Sequence, residues 1–575
     1  MKIKKYILGA IPSLLILSGC QKLDQEIITT LDSEQVESSY DFTKYRCASV
    51  YTTIPSGFTM MGNAMMASAT DESEHTMETS SVHNFNVGSV NPYNNPNEVW
   101  NDFYIGIRKA NQFLASSDSV DLDLYKYDPA QQTVYLSRSA EIRNWKYEVR
   151  FLRAFFYFEL VKRYGGVPIL TIAGSIDGDY SNVKRQPLAE CIKFIVDECD
   201  SAAAVLPAKY VLADDLGRAT KGAALALKNR MLLYAASDLF NNPSWASGYD
   251  KPELISITGD RTAKWQAAVN AAKEVIDIAN VAGYSLSTNY GTLFGATTHT
   301  NSEIIFCRRY GSSNTFEVQN TPIGYDKGNS GTTPSQNLVD DYEVKVNATT
   351  AIPFDWSNPA HAANPYSTSG ATARDPRLGF TVLTNNTNIK GRPIESFIGG
   401  LDGNPISLAT KTGYYLRKYN NVDLNLTTGT TSVHSFIMFR LAEIYLNYAE
   451  ALNEVSPEHA DIKIYVDKVR QRASVAMPPL PAGLSQAQMR DAIRHERRIE
   501  LAFEDHRYWD LKRWMMAPDV LGAPLRGVEI TKNPDLTFSY KLITVENRVF
   551  EPKMYFYPIP QSEIFITGWE QNPLW

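Results

Sequence analysis

Apolar residues recur every three or four positions over two long stretches of the chain, a pattern typical of helices that bury one face. In the first stretch, this spacing predicts a helix over about 98–115 and a longer one that runs through 142–164. The longer helix is expected to end at Gly165 and Gly166, because glycine terminates helices readily. Further helices are predicted over about 188–206, 220–240 and 263–279.

Helical spacing returns near the end of the chain. It predicts helices over about 436–454, 460–473 and 485–504, and Ser485 with Gln488 is placed as a capping box for the last of them. Antiparallel helix pairs in two sets predict a mostly α fold, a tetratricopeptide-like right-handed helical superhelix. The chain shows no strict repeat length, so this prediction depends on helix pairing alone.

Between the two helical sets, short β-prone pieces such as 304–306 are set among Gly, Asn, Thr and Pro residues. Loops of this kind usually carry binding surfaces, so we expect this loop-rich insertion with short β pieces to face the ligand. No linker divides the chain, which indicates one compound domain over 20–575. Its parts would be an N-terminal helical part (about 40–283), a loop-rich part (about 284–435) and a C-terminal part (about 436–575).

The first residues of the chain predict export and lipid attachment. Three lysines, a short apolar run and the sequence Leu-Ser-Gly-Cys match a lipoprotein signal peptide over 1–19, with Cys20 as the lipidation site. The apolar run is shorter than the roughly 20 residues of a membrane-spanning helix. Residues 21–26 resemble the export tag of lipoproteins on the extracellular face of the outer membrane, where we place the protein. The alternative is an ordinary signal peptide with a chance cysteine.

Charge and cysteine spacing exclude several classes of protein. The formal net charge of −7 offers no basic patch, so nucleic acid is not an expected partner. The remaining cysteines form no CxxC pair and the eight histidines form no ligand cluster, so we expect no metal site and no cofactor. Cys191 and Cys199 lie about two helical turns apart, too far for a disulfide. Free buried thiols are the preferred interpretation for Cys47, Cys191, Cys199 and Cys307.

A structural calcium ion is the one metal that this sequence leaves open. Oxygen-rich segments occur at Asp340-Asp341 and at 402–404, and Ca²⁺ prefers carboxylate and carbonyl oxygens. Surface turns have the same composition. The sequence therefore leaves open whether these segments bind calcium or are surface turns.

Three stretches of the sequence resemble the SusD/RagB family of surface lipoproteins. They are an aromatic helix ending in Gly-Gly-Val-Pro at 152–168, the segment 439–511 with its Arg- and Glu-rich helix, and the closing segment 557–573. The segment 91–100 is also similar to a subgroup of the family. The resemblance implies an extracellular binding protein, not an enzyme, that acts as a lid on a SusC-like TonB-dependent transporter in the outer membrane.

The resemblance implies cell-surface binding of a glycan or oligosaccharide and its delivery to that transporter. The aromatic content of 11% agrees, although the same rings also fill helical cores. One alternative is a peptide-binding subunit of a RagB-type uptake complex. Another is a surface glycoside hydrolase, which needs two carboxylates about 5–10 Å apart with one raised pKa, and no pair in the sequence stands out for that role.

Loop residues are the preferred candidates for contact with the ligand. An acidic run at Asp71 and Glu72 follows an apolar, Met-rich segment, so these acids are expected to point outward and accept hydrogen bonds from sugar hydroxyls. Alternatively, they cap a helix or a turn. The further candidates are Trp356 in a polar loop, Arg374 before Asp375 and Pro376, and Tyr414 and Tyr415 after Gly413. Each of these also has a structural interpretation, as a plug over the core or as part of the fold.

The charged segment 494–510 is interpreted as structure rather than as a catalytic site. Acidic residues lie three and four positions from arginines, so the charges would pair on neighbouring helical turns and the carboxyl pKa values would fall. A general acid needs the opposite shift. The rings at 155–158 point to every side of their helix, which predicts a helix buried in the core.

Overall fold

The structure is a computed structural model that describes residues 32–174 and 178–575, so the predicted signal peptide and Cys20 lie outside the described residues. Helices are the main regular structure of the described chain, and the strands are few and short. The helices are α1 Ser33–Ser38, α2 Tyr40–Tyr51, α3 Val82–Asn86, α4 Trp100–Ser116, α5 Asp123–Lys126, α6 Gln132–Tyr164, α7 Leu188–Val205, α8 Lys221–Ala236, α9 Asp238–Asn241, α10 Arg261–Ala282, α11 Thr315–Asn320, α12 Gln336–Asp341, α13 Pro359–Ala363, α14 Arg377–Thr381, α15 Leu441–Val455, α16 Ala460–Arg470, α17 Gln486–Glu500, α18 Arg507–Arg513, α19 Ala517–Leu521 and α20 Gln561–Thr567.

The long helices pack in chain order as a tetratricopeptide-like array. Helix α6 lies between α4 and α7, α8 lies between α7 and α10, and α15 packs against α10, α16 and α17. The C-terminal set therefore joins the N-terminal set through the contact of α10 with α15. The predicted mostly helical, tetratricopeptide-like fold is confirmed.

Helix α6 is the centre of the hydrophobic core. The rings of residues 155–158 are at most 1% exposed, as their distribution around the helix predicted. The helix ends at Gly165, whose φ of +74° is in the left-handed region. A Cβ atom at this position would lie 2.3 Å from the Leu254 carbonyl oxygen, so glycine is required at this stop.

Short antiparallel strands occupy the part of the chain between the two helical sets and the segment after α19, and one further strand, at 73–75, lies in the N-terminal part. The strands are β1 Ser73–His75, β2 Ile304–Arg309, β3 Thr332–Pro334, β4 Val344–Lys345, β5 Ala351–Ile352, β6 Ala373–Arg374, β7 Val382–Leu383, β8 Asn388–Ile389, β9 Arg392–Pro393, β10 Tyr415–Leu416, β11 Ser435–Arg440, β12 Leu525–Lys532 and β13 Phe538–Glu546. They form the pairs β1–β3, β2–β11, β7–β10, β8–β9 and β12–β13 and the three-stranded sheet β5–β4–β6.

The prediction of a helix beginning at residue 436 is wrong. Residues Ser435–Arg440 form strand β11, which pairs with β2, and helix α15 begins only at Leu441. All six residues of the strand are buried. A strand buried on both faces is a continuous apolar run, and in a short window its spacing cannot be distinguished from that of a helix.

Helix α17 begins at the predicted capping box of Ser485 and Gln488 and carries residues 494–500 of the charged segment predicted to be structural; the rest of the segment continues through a turn into α18. Glu500 is buried and accepts hydrogen bonds from Arg377 (2.9 Å), Arg440 (2.7 Å) and Arg472 (2.6 Å). Burial acts to raise the pKa of Glu500, but the three guanidinium groups outweigh it and hold this pKa well below its usual range. The segment is therefore a buried ion network that joins the helices to the loop-rich part.

Two further findings concern the described residues as a whole. Cys47, Cys191, Cys199 and Cys307 are free and buried, as expected. Over 32–174 and 178–575, no helix is long and apolar enough to cross a membrane.

Candidate functional site

A cleft of about 690 Å³ opens between three segments of the chain. The first segment is 76–79, which follows strand β1. The second is the loop 396–413, and the third is the hairpin of β12 and β13. We call this cleft the loop–hairpin cleft. Two of its walls come from loops, which a binding protein can vary without changing its core.

The loop 396–413 is fixed closely against the hairpin at its end. The Val528 amide of β12 donates to the Thr412 carbonyl at 2.9 Å, and Gly413 has a φ of +89°. A Cβ atom on Gly413 would lie 2.5 Å from the Val528 carbonyl oxygen. Glycine at this position therefore allows the close approach that closes one end of the cleft.

The walls of the loop–hairpin cleft combine hydroxyl groups, aliphatic groups and a few charges. Its polar side chains include Thr76, Thr79, Asn404, Ser407, Thr410 and Thr544, and its aliphatic side chains include Ile398, Ile406, Leu408, Ile543 and Val545. Glu78 and Lys411 form an exposed ion pair of 3.0 Å between two of the walls. Such a surface offers both donors and acceptors to the hydroxyl groups of a ligand and apolar area to its carbon skeleton.

A pair of half-buried rings lies beside this cleft. The ring centroids of Phe397 and Phe538 are 5.7 Å apart. Phe397 lies between Ser396 and Ile398 in the sequence, and both of these residues line the cleft. Rings beside a polar groove are a common means of binding the flat faces of sugars.

A second cleft, of about 370 Å³, lies between segment 289–295 and segment 417–423. It is lined by the half-buried ring of Phe380, by asparagine side chains and by the exposed guanidinium of Arg417. This smaller cleft also combines polar and apolar side chains, so it provides an internal comparison for the larger one.

The expectation that Asp71 and Glu72 point outward is wrong. Asp71 is 8% exposed and Glu72 is 2% exposed. Asp71 pairs with Arg507 at 2.9 Å and with Arg498 at 2.9 Å, and Glu72 accepts a hydrogen bond of 3.2 Å from the Phe503 amide. The acidic run therefore anchors the start of β1 to the ion network below it. Glu72 binds an amide of the turn that follows α17, in agreement with the alternative that these acids cap a turn, and a ligand role for the two carboxylates stays a prediction.

The pKa values of this acidic pair shift in opposite directions. Burial acts to raise the pKa of Asp71, but the charges of Arg498 and Arg507 lower it to about 2. Burial raises the pKa of Glu72 to about 7, because its guanidinium partner is farther away, at 3.7 Å from Arg498. Asp71 therefore contributes stability above pH 4, and this contribution is lost as the pH falls from about 4 to about 2.

We expect Asp71→Asn to lower the free energy of unfolding by about 2 kcal/mol at pH 7, because a folded carboxyl pKa of about 2 lies well below the unfolded value. Urea unfolding at pH 7 and at pH 3 measures this. The difference between the wild type and the variant should shrink at pH 3. A difference that stays constant between the two pH values would show that the charge of Asp71 is not the source of the stability.

Arg374, Tyr414 and Tyr415 are also buried. Arg374 donates to the carbonyls of Tyr342, Pro365 and Val339. The Tyr414 hydroxyl donates to Gln336 at 2.7 Å. These contacts favour the structural interpretation of each residue, and contact with a ligand stays a prediction for all three.

Tyr415 and Trp356 hold loops in place. The Tyr415 hydroxyl donates to the Asp402 carbonyl at 2.5 Å and accepts from the Thr410 amide at 3.1 Å, so it ties together two points of the loop that lines the cleft. Trp356 is half-buried, and its indole donates to Asp340 at 2.9 Å. Of the six candidates, Trp356 alone keeps a partly exposed ring, and its role in binding stays a prediction.

The positions considered for calcium carry carboxylates that already have cationic partners. Asp340 pairs with Arg526 at 3.0 Å, Asp341 with Arg498 at 3.1 Å, and Asp402 with Arg392 at 2.7 Å. Among the described residues, one other group could place three ligand atoms around a metal ion, namely Glu74, His83 and Glu546. Arg548 contacts both of these glutamates, at 3.0 Å and 2.7 Å, so a cation is already present there.

The residues that form the cleft surface were not predicted from the sequence. The hairpin of β12 and β13 shows an alternation of apolar and polar residues over 538–546, a strand signal that was available in the sequence. Lys411 and Glu78 carry no such signal, because a single charge in a polar loop looks the same whether it lines a cleft or faces open solvent.

Paired helices that carry a cleft walled by loops define a tetratricopeptide-like binding protein. The model of the SusD family matches residues 302–575, and a second family model, described as starch-binding associating with outer membrane, matches residues 21–233. The chain belongs to the SusD family.

Relatives match almost the whole chain. SusD-like protein P2 of Formosa agariphila is 24% identical over 573 residues, which cover 94% of this chain and 96% of that protein. A solved SusD-like protein of Bacteroides fragilis is 27% identical with a TM-score of 0.77, covering 95% of this chain and 99% of its own.

A laminarin-binding SusD-like protein has the same fold. It is 22% identical with a TM-score of 0.60, covering 94% of this chain and 100% of its own. At this identity the likeness concerns the fold alone.

Proposed function

We propose that this protein binds an extracellular glycan in the loop–hairpin cleft, at the outer surface of the outer membrane, and delivers it to a SusC-like TonB-dependent transporter. The observation that carries the proposal is a cleft of about 690 Å³ whose walls are rich in hydroxyl and amide groups, in a chain of the SusD family. The laminarin-binding relative and the outer-membrane description of the matching family model support it.

The chemistry of the cleft suits an oligosaccharide. Sugar hydroxyls both donate and accept hydrogen bonds, and the threonine, serine and asparagine side chains of the cleft do the same. Each such bond contributes only about 0.5–1.5 kcal/mol in water, so we expect a single-site affinity that is micromolar or weaker.

Two neighbouring carboxyl groups, Glu74 and Glu546, bear on the alternative that the protein hydrolyses the glycan. Burial raises the pKa of Glu74. Burial also acts to raise the pKa of Glu546, but His83 and Arg548 lower that pKa to about 2. Opposite shifts in two neighbouring carboxyls are typical of acid–base pairs. However, Glu74 is 2% exposed and is bound by Arg548, which supports binding without cleavage.

Isothermal titration of the soluble form lacking Cys20 against a panel of polysaccharides and a peptide library tests the proposal. For the glycan that the wild type binds in this panel, Lys411→Ala should weaken binding by about tenfold, because hydrogen bonds from charged groups contribute about 1.5–3 kcal/mol. Arg417→Ala is the matched control, since it removes an exposed cation from the smaller cleft.

The outcomes separate the candidate sites and ligands. A loss of affinity in Arg417→Ala but not in Lys411→Ala would place the ligand in the smaller cleft and contradict the assigned site. Binding of peptides without any glycan would support the RagB-type alternative. Failure to co-purify with a large β-barrel transporter from the native membrane would argue against the delivery step.

A further inference from the structure

A polar cleft of about 520 Å³ lies among the helices, away from the loops that line the loop–hairpin cleft. It is lined by the start of α10, by residues of α15 and α17, and by two tryptophans, Trp265 and Trp514. Three arginines line it as well, namely Arg261, Arg490 and Arg494. We call it the helical cleft.

Two of the three arginines have carboxylate partners. Arg261 pairs with Asp238, and Arg490 pairs with Glu454 at 2.6 Å. The third carboxylate of the cleft, Glu450, is bound by Arg513 and by the Trp514 indole, which donates to it at 2.7 Å. All three acids that line the cleft are therefore already neutralised.

Arg494 is the cation that remains. Among the described residues, no carboxylate lies within ion-pair distance of it, and its polar contact is a weak one of 3.4 Å from Nη1 to the Met516 sulfur. Its Nε atom is buried without a hydrogen-bond partner, while its guanidinium lies 4.8 Å from the centre of the Trp514 ring. The other three arginines of α17, at 490, 497 and 498, each have a carboxylate partner.

A half-buried guanidinium without a carboxylate in direct contact is less favourable than one in an ion pair, since it loses hydration on burial, and a ligand can supply that contact. Burial lowers the pKa of Arg494, which is the direction expected for a cation that lacks a partner. The planar fork of a guanidinium matches a carboxylate through two parallel hydrogen bonds. The volume of about 520 Å³ is large enough to admit a small organic acid beside Arg494.

We propose that the helical cleft binds the carboxylate group of a small ligand of the size of one sugar acid, with Arg494 as the residue that pairs with the carboxylate. The neighbouring indole rings would contact the apolar part of the ligand. This inference is independent of the proposed function, because none of the residues that line the loop–hairpin cleft takes part in it.

Titration of the soluble protein with glucuronate, followed by tryptophan fluorescence and by calorimetry, tests the inference, with glucose as the neutral comparison. The wild type should bind glucuronate saturably and in preference to glucose, and Arg494→Gln should weaken this binding by about tenfold or more. Arg494→Lys should give an intermediate loss, since it keeps the charge but not the fork. Arg143→Gln, a change at an exposed arginine on α6, is the matched control and should bind as the wild type does.

A second measurement separates ligand binding from a structural role. Without ligand, Arg494→Gln should melt at or above the temperature of the wild type, because no ion pair is lost. Equal affinity of the wild type and Arg494→Gln for glucuronate, or no saturable binding of glucuronate to the wild type, would overturn the proposal. A clear fall in the melting temperature of the free variant would also count against it, since it would assign Arg494 to the structural network.

Discussion

Glu500→Gln is expected to lower the free energy of unfolding by about 3–5 kcal/mol, the usual cost of removing one partner from a buried ion pair. Glu500 accepts hydrogen bonds from three guanidinium groups, and its side chain is fully buried. The neutral amide cannot accept three charged donors and would bring its own N–H group against them. Urea unfolding at pH 7 followed by far-ultraviolet circular dichroism measures the loss.

The matched control is Glu454→Gln, which makes the same chemical change at a half-buried pair with Arg490. A pair that is partly exposed contributes at most about 1 kcal/mol, so this variant should unfold close to the wild type. If the two variants lose the same free energy of unfolding, the buried network does not stabilise the fold more than a partly exposed ion pair does.

Cys20→Ser is expected to move the protein from the membrane fraction to the soluble fraction. The predicted signal makes Cys20 the attachment point of the acyl chains, and each buried methylene of such a chain contributes about 0.8 kcal/mol to membrane binding. The loss of several chains therefore removes the anchor altogether. Fractionation of cells after labelling with radioactive palmitate checks both the anchor and its position.

The control for this experiment is Cys47→Ala, which removes a buried free thiol of α2 and should leave the labelled protein in the membrane. Palmitate label that persists in Cys20→Ser, or a wild-type protein without label, would contradict the predicted lipidation. In that case the chance-cysteine alternative for the signal peptide would be preferred.

The helices could be predicted because the spacing of apolar residues that identifies each helix lies within the helix itself. The spacing of apolar residues in α4, α7 and α10 extends over four or more turns, and their boundaries agree with the prediction to within a few residues. Strand β11 could not be recognised in this way, because its pairing with β2 joins residues that lie more than a hundred positions apart.

The binding surface was harder to predict because exposure depends on packing that the sequence does not show. Tyr414 and Tyr415 directly follow the loop 396–413 that lines the cleft, but both side chains are buried beneath its surface. Asp71 shows the same error, since its guanidinium partners on α17 and α18 come from more than four hundred residues farther along the chain. Polar residues in a loop therefore indicated the part of the chain that forms the cleft, but not which side chains line it.

A small second core supports the loop that lines the loop–hairpin cleft. It consists of Tyr325, Leu383, Ile389, Ile394 and Tyr415 and is separate from the main core of the helices. The loop contacts this small core through the Tyr415 hydroxyl, whereas its Phe397 packs against the main core, so exchanges at the other positions of 396–413 are expected to leave the helical framework stable. Relatives that keep the helical framework can therefore differ in the sequence of this loop, and hence in the shape of the cleft.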